Sequence, residues 1–125
     1  MHEDDTSRIE HAEVRIGDSV LLLFDREPGW GSTATFLNLY VPDCDETHRR
    51  ALAAGAAEVT PLSTNAWGDR GSRLTDPFGN LWWVQTHVED VTEAAMVERM
   101  GRPEHIADLR VARVTLTQEM RGRAT

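Results

Sequence analysis

The sequence predicts an α+β fold: a hairpin, then a βαβββ unit, then a helical extension at the C-terminus. Three observations carry this. Apolar residues alternate at period two in several short runs, the mark of half-buried strands. One capped helical stretch sits between the third and fourth of those runs. Beyond His87 the apolar spacing changes to that of a helix.

The elements follow in order. Residues 1–8 are polar and acidic and read as a fraying end. His11 to Phe24 reads as a hairpin, since Ala12, Val14 and Ile16 alternate with His11, Glu13 and Arg15. Gly17-Asp18 supplies its turn and sets Glu13 opposite Leu22 and Arg15 opposite Val20. Asp25 to Thr33 holds Pro28, Gly29 and Gly31 and reads as a loop or linker.

Thr35 to Val41 is the next strand, ended by Pro42-Asp43. A helix from Cys44 to about Ala54 has Asp43 as its cap, Glu46 at capping-box spacing and Gly55 at its end. Cys44, Ala51 and Leu52 give it an apolar face, with His48 and Arg49 beside or opposite. Ala57 to Leu62 reads as a strand, Ser63 to Gly71 as a loop, and Arg73 to Thr75 as a strand. Asp76-Pro77-Phe78-Gly79 is a turn, and Leu81 to His87 is the final strand. A helix capped by Asp90 or Thr92 runs to about Met100. Residues 104–120 suit a helix through Ile106, Leu109 and Val114, and a strand through Leu109, Val111 and Val-Thr-Leu-Thr; helix is the reading adopted.

Composition bounds function. At 125 residues the chain makes one domain or two very small ones, with room for a core without disulfides. Cys44 is the sole cysteine, so no intrachain disulfide forms, and a reducing, cytoplasmic location is expected. No apolar run approaches the roughly 20 residues of a membrane span. The net charge of −8 repels nucleic-acid phosphate and anionic lipid, so neither partner is expected. The one basic stripe, Arg110, Arg113, Arg121 and Arg123, is interrupted by Asp108 and Glu119. No nucleophile–base pair, phosphate loop or zinc motif is legible.

Three segments carry a family resemblance: His11-Ala12-Glu13-Val14-Arg15-Ile16-Gly17-Asp18-Ser19, Leu39-Tyr40-Val41-Pro42-Asp43-Cys44-Asp45, and Asp76-Pro77-Phe78-Gly79-Asn80-Leu81-Trp82. In this order they resemble the glyoxalase/bleomycin resistance/dioxygenase group, the vicinal oxygen chelate superfamily. With Thr86-His87-Val88-Glu89-Asp90-Val91, the chain looks like the PhnB-like branch. The likeness covers about residues 8–100 and implies two βαβββ modules. The expected organisation is a glyoxalase/bleomycin-resistance-like domain over 1–101 and an extension over 102–125. Its first module (8–25) is reduced to a hairpin and its second spans 34–88. The tail or a partner subunit would then cover the open sheet.

Metal enzymes of this class hold a divalent ion on inward His and Glu side chains. By register those positions fall at Phe36, Trp83 and about Leu22, and none can ligate. The resemblance therefore implies neither metal nor cofactor here, and no catalytic residue is assigned. Strand parity places Phe36, Asn38 and Tyr40 on one face, Trp83, Gln85 and His87 on another, and His11 and Glu13 on one side of the hairpin. Leu37, Leu39, Val41, Trp82 and Val84 take the opposite faces, under the helix.

The expected ligand-binding set is His11, Glu13, Phe36, Asn38, Tyr40, Trp67, Trp83 and Gln85. Plainer roles stand beside it. Phe36 and Trp83 are also suited to plugging a core, and His11 and Glu13 to a solvated strand face. His87 suits a structural hydrogen bond and Cys44 a small buried hydrophobe; Arg73 suits a surface pair with Asp69 or Asp76 by default, with an anionic ligand as the alternative. The function expected is metal-free binding of a small aromatic or cationic compound by a homodimer. A metal-dependent lyase, transferase or dioxygenase and a non-catalytic interaction module are the alternatives.

Overall fold

A computed structural model describes residues 8–123, so the fraying expected for residues 1–7 lies outside the described residues. The chain divides into two compact units, Met1–Thr33 and Ala34–Thr125.

The first unit is the hairpin. Strands β1 (Ala12–Ile16) and β2 (Ser19–Leu23) pair antiparallel, with Glu13 opposite Leu22 and Arg15 opposite Val20 as the turn predicts. Gly17 sits at φ 62°, where a side chain is disfavoured. Arg8, placed by its sequence in the fraying end, is anchored instead. Its guanidinium donates to both carboxylate oxygens of Glu27, at 3.2 and 2.7 Å. The Ile9 and Asp25 backbones close the same loop. Trp30 packs edge-on against Phe24 at 6.5 Å.

The second unit is the βαβββ module. Strands β3 (Phe36–Tyr40), β4 (Ala57–Thr64), β5 (Asp69–Thr75) and β6 (Leu81–His87) form a sheet in the order β3-β6-β5-β4. Strands β3 and β6 run parallel and the other pairs antiparallel. Helix α1 (Cys44–Ala53) connects β3 at one edge to β4 at the other. Asp43 caps it by accepting from the Glu46 backbone at 3.2 Å.

Cys44 and Ala51 of α1 meet Leu74, Val84, Val41 and Trp82 in the core. His48 also faces the sheet, correcting its expected place beside or opposite the apolar face. It is 7% exposed, its Nδ1 lies 2.7 Å from Ser72 Oγ, and its Nε2 lies 3.0 Å from Glu58.

Strand β5 begins at Asp69, not at Arg73, and β4 runs on to Thr64, so the loop expected from Ser63 to Gly71 shrinks to residues 65–68. Pro61 is tolerated because β4 is an edge strand, and the β4–β5 register shifts on both sides of Thr60. Thr92 caps helix α2 (Glu93–Met100) at 3.1 Å. The ambiguous tail is helical: α3 spans Pro103–Gly122 and packs on β4.

The turn between β5 and β6 hangs on Asp76. Its Oδ1 accepts from the backbones of Phe78 and Asn80 at 2.9 and 3.0 Å. Its Oδ2 accepts from Asn80 Nδ2 at 2.9 Å and from the Trp82 indole at 3.0 Å. Burial works against the charge, but these donors outweigh it and hold the carboxyl below its ordinary range. A depressed pKa stabilises the fold above the unfolded-state value near 4 and loses that contribution as pH falls through the folded value. We expect Asp76→Ala to cost about 2 kcal/mol at neutral pH. Urea unfolding at a series of pH values should show the deficit shrinking towards pH 3; a deficit constant with pH would refute the assignment.

Candidate functional site

Strand alternation divides the side chains of the second unit. Ser72, Leu74, Trp82 and Val84 point towards α1, so Arg73, Trp83 and Gln85 point the other way. Helix α3 crosses that second face: the Thr115 and Thr60 hydroxyls lie 2.6 Å apart. Between helix and sheet lies a cleft of about 90 Å³. Its floor is Trp83 and Gln85 of β6 with Gly71 and Arg73 of β5; the loop gives Ala66 and Trp67, and α3 gives His105, Asp108, Leu109 and Ala112. A hollow of about 250 Å³ under α1 has mostly apolar walls, with Leu39, Ala51, Ala56 and Trp82 among them. The cleft under α3 combines aromatic walls with converging polar groups, the usual make-up of a ligand site.

Each wall has a local cause. Asn65 Oδ1 accepts from the backbones of Trp67 at 3.2 Å and Asp69 at 2.9 Å, and so shapes the loop. Gly68 closes the loop at φ 95°, where a Cβ would strike the Glu89 carbonyl. At Gly71 a Cβ would strike the Val84 carbonyl and come within 2.9 Å of Gln85 Cγ, so glycine makes room for Gln85 on the floor. Gln85 is 2% exposed and donates to Asn38 Oδ1 at 2.6 Å.

Arg73 does not form the expected surface pair with Asp69 or Asp76. Its place in the strand turns it towards α3, and the carboxylate oxygens of both aspartates have other donors. The guanidinium lies 4.7 Å over the Trp83 ring, and its Nη1 donates to the Ala112 carbonyl at 2.8 Å and to Thr60 at 3.3 Å. Nε is buried without an acceptor, as is Nδ1 of His105. Burial pulls the Arg73 pKa down from its ordinary value.

A second polar cluster lies at the end of β6. Asp69 is 6% exposed. It accepts from the Tyr40 hydroxyl at 2.8 Å, and its other oxygen lies 2.8 Å from His87 Nδ1. His87 Nε2 lies 2.7 Å from Asp90. Two carboxylates on the two ring nitrogens favour the imidazolium. The bond to Asp90, then that to Asp69, raises the His87 pKa. The bond to Asp69 also raises that of the Tyr40 hydroxyl.

The sequence-predicted residues divide accordingly. Trp67, Trp83 and Gln85 line the cleft. Asn38 supports Gln85, and Tyr40 is engaged with Asp69. Phe36 is half exposed on the edge strand β3. His11 and Glu13 belong to the first unit, where they are exposed and bond each other at 2.8 Å. Sequence reasoning gave Arg73 a surface pair by default, with an anionic ligand as the alternative, and missed His105, Asp108 and Ala112 as walls. The spacing of the last three along one helical face was the available signal.

The positions where this class holds its divalent ion do not fit one. Phe36 is 50% exposed on an edge, Leu22 is 66% exposed on the hairpin, and Trp83 lies under the Arg73 cation. Among the described residues, no three His, Cys, Asp or Glu side chains converge to hold a metal.

The profile of the Glyoxalase/Bleomycin resistance protein/Dioxygenase superfamily matches residues 2–84, and the chain belongs to that superfamily. It is 35% identical over 95 residues to the uncharacterized protein Mb0911c of Mycobacterium bovis and to Rv0887c of Mycobacterium tuberculosis. Each match covers 67% of this chain, which spans only 62% and 56% of those relatives. Among solved structures it is similar to TioX from Micromonospora sp. ML1, with TM-score 0.53 and 29% identity over 63% of this chain and 69% of that one. Protein PA1353 from Pseudomonas aeruginosa gives TM-score 0.56 and 28% identity over 71% of each chain.

The histidine cluster yields a pH prediction. Because the His87 pKa is raised in the fold, its contribution is complete below the unfolded value near 6.5 and fades as pH rises through the folded value. His87→Gln should therefore lower the melting temperature most at pH 5 to 6, with the gap narrowing above neutrality. A gap that widens with pH would show that the ring is held neutral.

Proposed function

We propose that the chain is a metal-free small-molecule-binding protein of this superfamily and that its ligand occupies the cleft between the sheet and α3. One observation carries the reading: Trp67 and Trp83 wall a cleft whose floor contains the buried amide of Gln85. Aromatic faces give area and orientation, and a held amide gives directional hydrogen bonds. At about 90 Å³ the cleft suits one ring or the head of a larger molecule. We place the chain in the PhnB-like branch on its family resemblance, and in a cytoplasmic setting on its single cysteine.

We propose a homodimer as well. Leu22 and Phe24 are 66% and 62% exposed in the first unit, and Ile106 and Val114 are each 45% exposed on α3. Apolar surface of this kind favours burial against a second copy. Light scattering at micromolar concentration should give twice the chain mass; a monomer at all concentrations would remove this part of the proposal.

The binding reading is checked by thermal denaturation and tryptophan fluorescence across a library of single-ring metabolites, without and with divalent ions. We expect saturable stabilisation by at least one compound, independent of metal, and weakened about tenfold by Trp67→Ala. Stabilisation only with an added divalent ion would instead support a metal-dependent enzyme of the parent class.

A further inference from the structure

The cleft holds two buried nitrogens without a hydrogen-bond partner, Arg73 Nε and His105 Nδ1. Arginine can only donate hydrogen bonds, and its Nε–Nη2 edge presents two parallel N–H groups. In Arg73 the opposite side of the guanidinium is spent: Nη1 donates to Ala112 and Thr60. The Nε end is buried with no acceptor. Among the described residues Arg73 forms no ion pair, although it lies in a chain of net charge −8. A partly buried cation with no ion-pair partner carries a desolvation cost, which stacking on Trp83 and two neutral acceptors offset in part. His105 presents a second buried, unpartnered nitrogen from the α3 wall. The tautomer that donates from Nδ1 adds one more donor. The one carboxylate on the cleft, Asp108, makes no ion pair with Arg73 among the described residues, so the Nε end has no charged acceptor. Trp67, Trp83, Leu109 and Ala112 give the cleft its apolar surface, beside the polar Thr60, Ser63, Asn65, Gln85 and Asp108.

Resting on the reading that the cleft binds ligand, we propose that its ligand is a small planar organic carboxylate, whose two oxygens take the free edge of Arg73 while its ring lies among the tryptophans. The net negative charge does not decide against this. Over a Debye length of about 8 Å in physiological salt, the ligand responds mainly to the groups lining the cleft. The cleft contains one opposing group, Asp108. A cationic ligand would have to settle beside the guanidinium.

The test titrates the full chain with benzoate, benzamide, benzylamine and inorganic phosphate, reading tryptophan fluorescence and calorimetric heat. Benzoate should bind saturably and at least about tenfold tighter than its neutral isostere benzamide or the cation benzylamine. Arg73→Gln should weaken benzoate about tenfold or more and leave benzamide within twofold. Arg73→Lys, which keeps the charge but loses the fork, should fall between. Asp108→Asn leaves the sheet untouched and should tighten benzoate severalfold. Benzamide or benzylamine binding at least as well as benzoate would overturn the carboxylate while leaving the cleft reading intact. Phosphate matching benzoate would overturn the planar body. Arg73→Gln that melts like the parent yet binds benzoate unchanged would overturn the role of Arg73. No binding by any of the four, in parent or Asp108→Asn protein, would overturn the carboxylate, and the cleft reading would fall only if the metabolite library also failed to stabilise the protein.

Discussion

Strand β6 has to satisfy two faces and two edges at once, and the second unit is arranged around that demand. Its backbone pairs with β3 on one side and β5 on the other. Trp82 and Val84 go into the core under α1, while Trp83 and Gln85 form the floor of the cleft. A central strand cannot slip by one residue without exchanging these sets, so core and site fix each other's register. Asp76 is where that register is set: it holds the turn entering β6 and bonds the Trp82 indole.

Much of this was legible in sequence because it rests on local rules. Gly17-Asp18 dictates the hairpin register, Asp43 and Gly55 bound α1, and the alternation from Leu81 to His87 assigns each side chain to a face. The start of β5 was not legible. Asp69-Arg70-Gly71-Ser72 has no apolar residue and carries a glycine, so its intrinsic preference is for loop. It is a strand because β4 and β6 supply partners on both sides, and because Gly71 is needed where Gln85 crosses close to its backbone.

The site was legible only where it lies on regular strands. Trp83 and Gln85 followed from parity, and Trp67 from its place in a glycine-containing loop. Arg73 was paired with a carboxylate by default because Asp76 and Asp69 lie only three and four residues away in sequence. In the fold those carboxylates belong to a histidine cluster and to a turn. Which partner an ion takes is decided by the face its strand presents, and that required the true extent of β5.

Helix α3 explains why the roof of the cleft escaped notice. An amphipathic helix is expected to turn its apolar stripe inward. Here Ile106, Val111 and Val114 are exposed, while His105, Asp108, Ala112 and Thr115 turn towards the sheet. The inward residues are small or polar, and they reach the sheet through hydrogen bonds to Thr60 and Arg73. Leucines at those positions would fill the space over Trp83 and Gln85 with close-packed side chains. A helix held by a few polar contacts leaves that space open, and leaves its apolar stripe uncovered on the outside. The open cleft and the exposed apolar surface are thus two results of one choice of helix orientation.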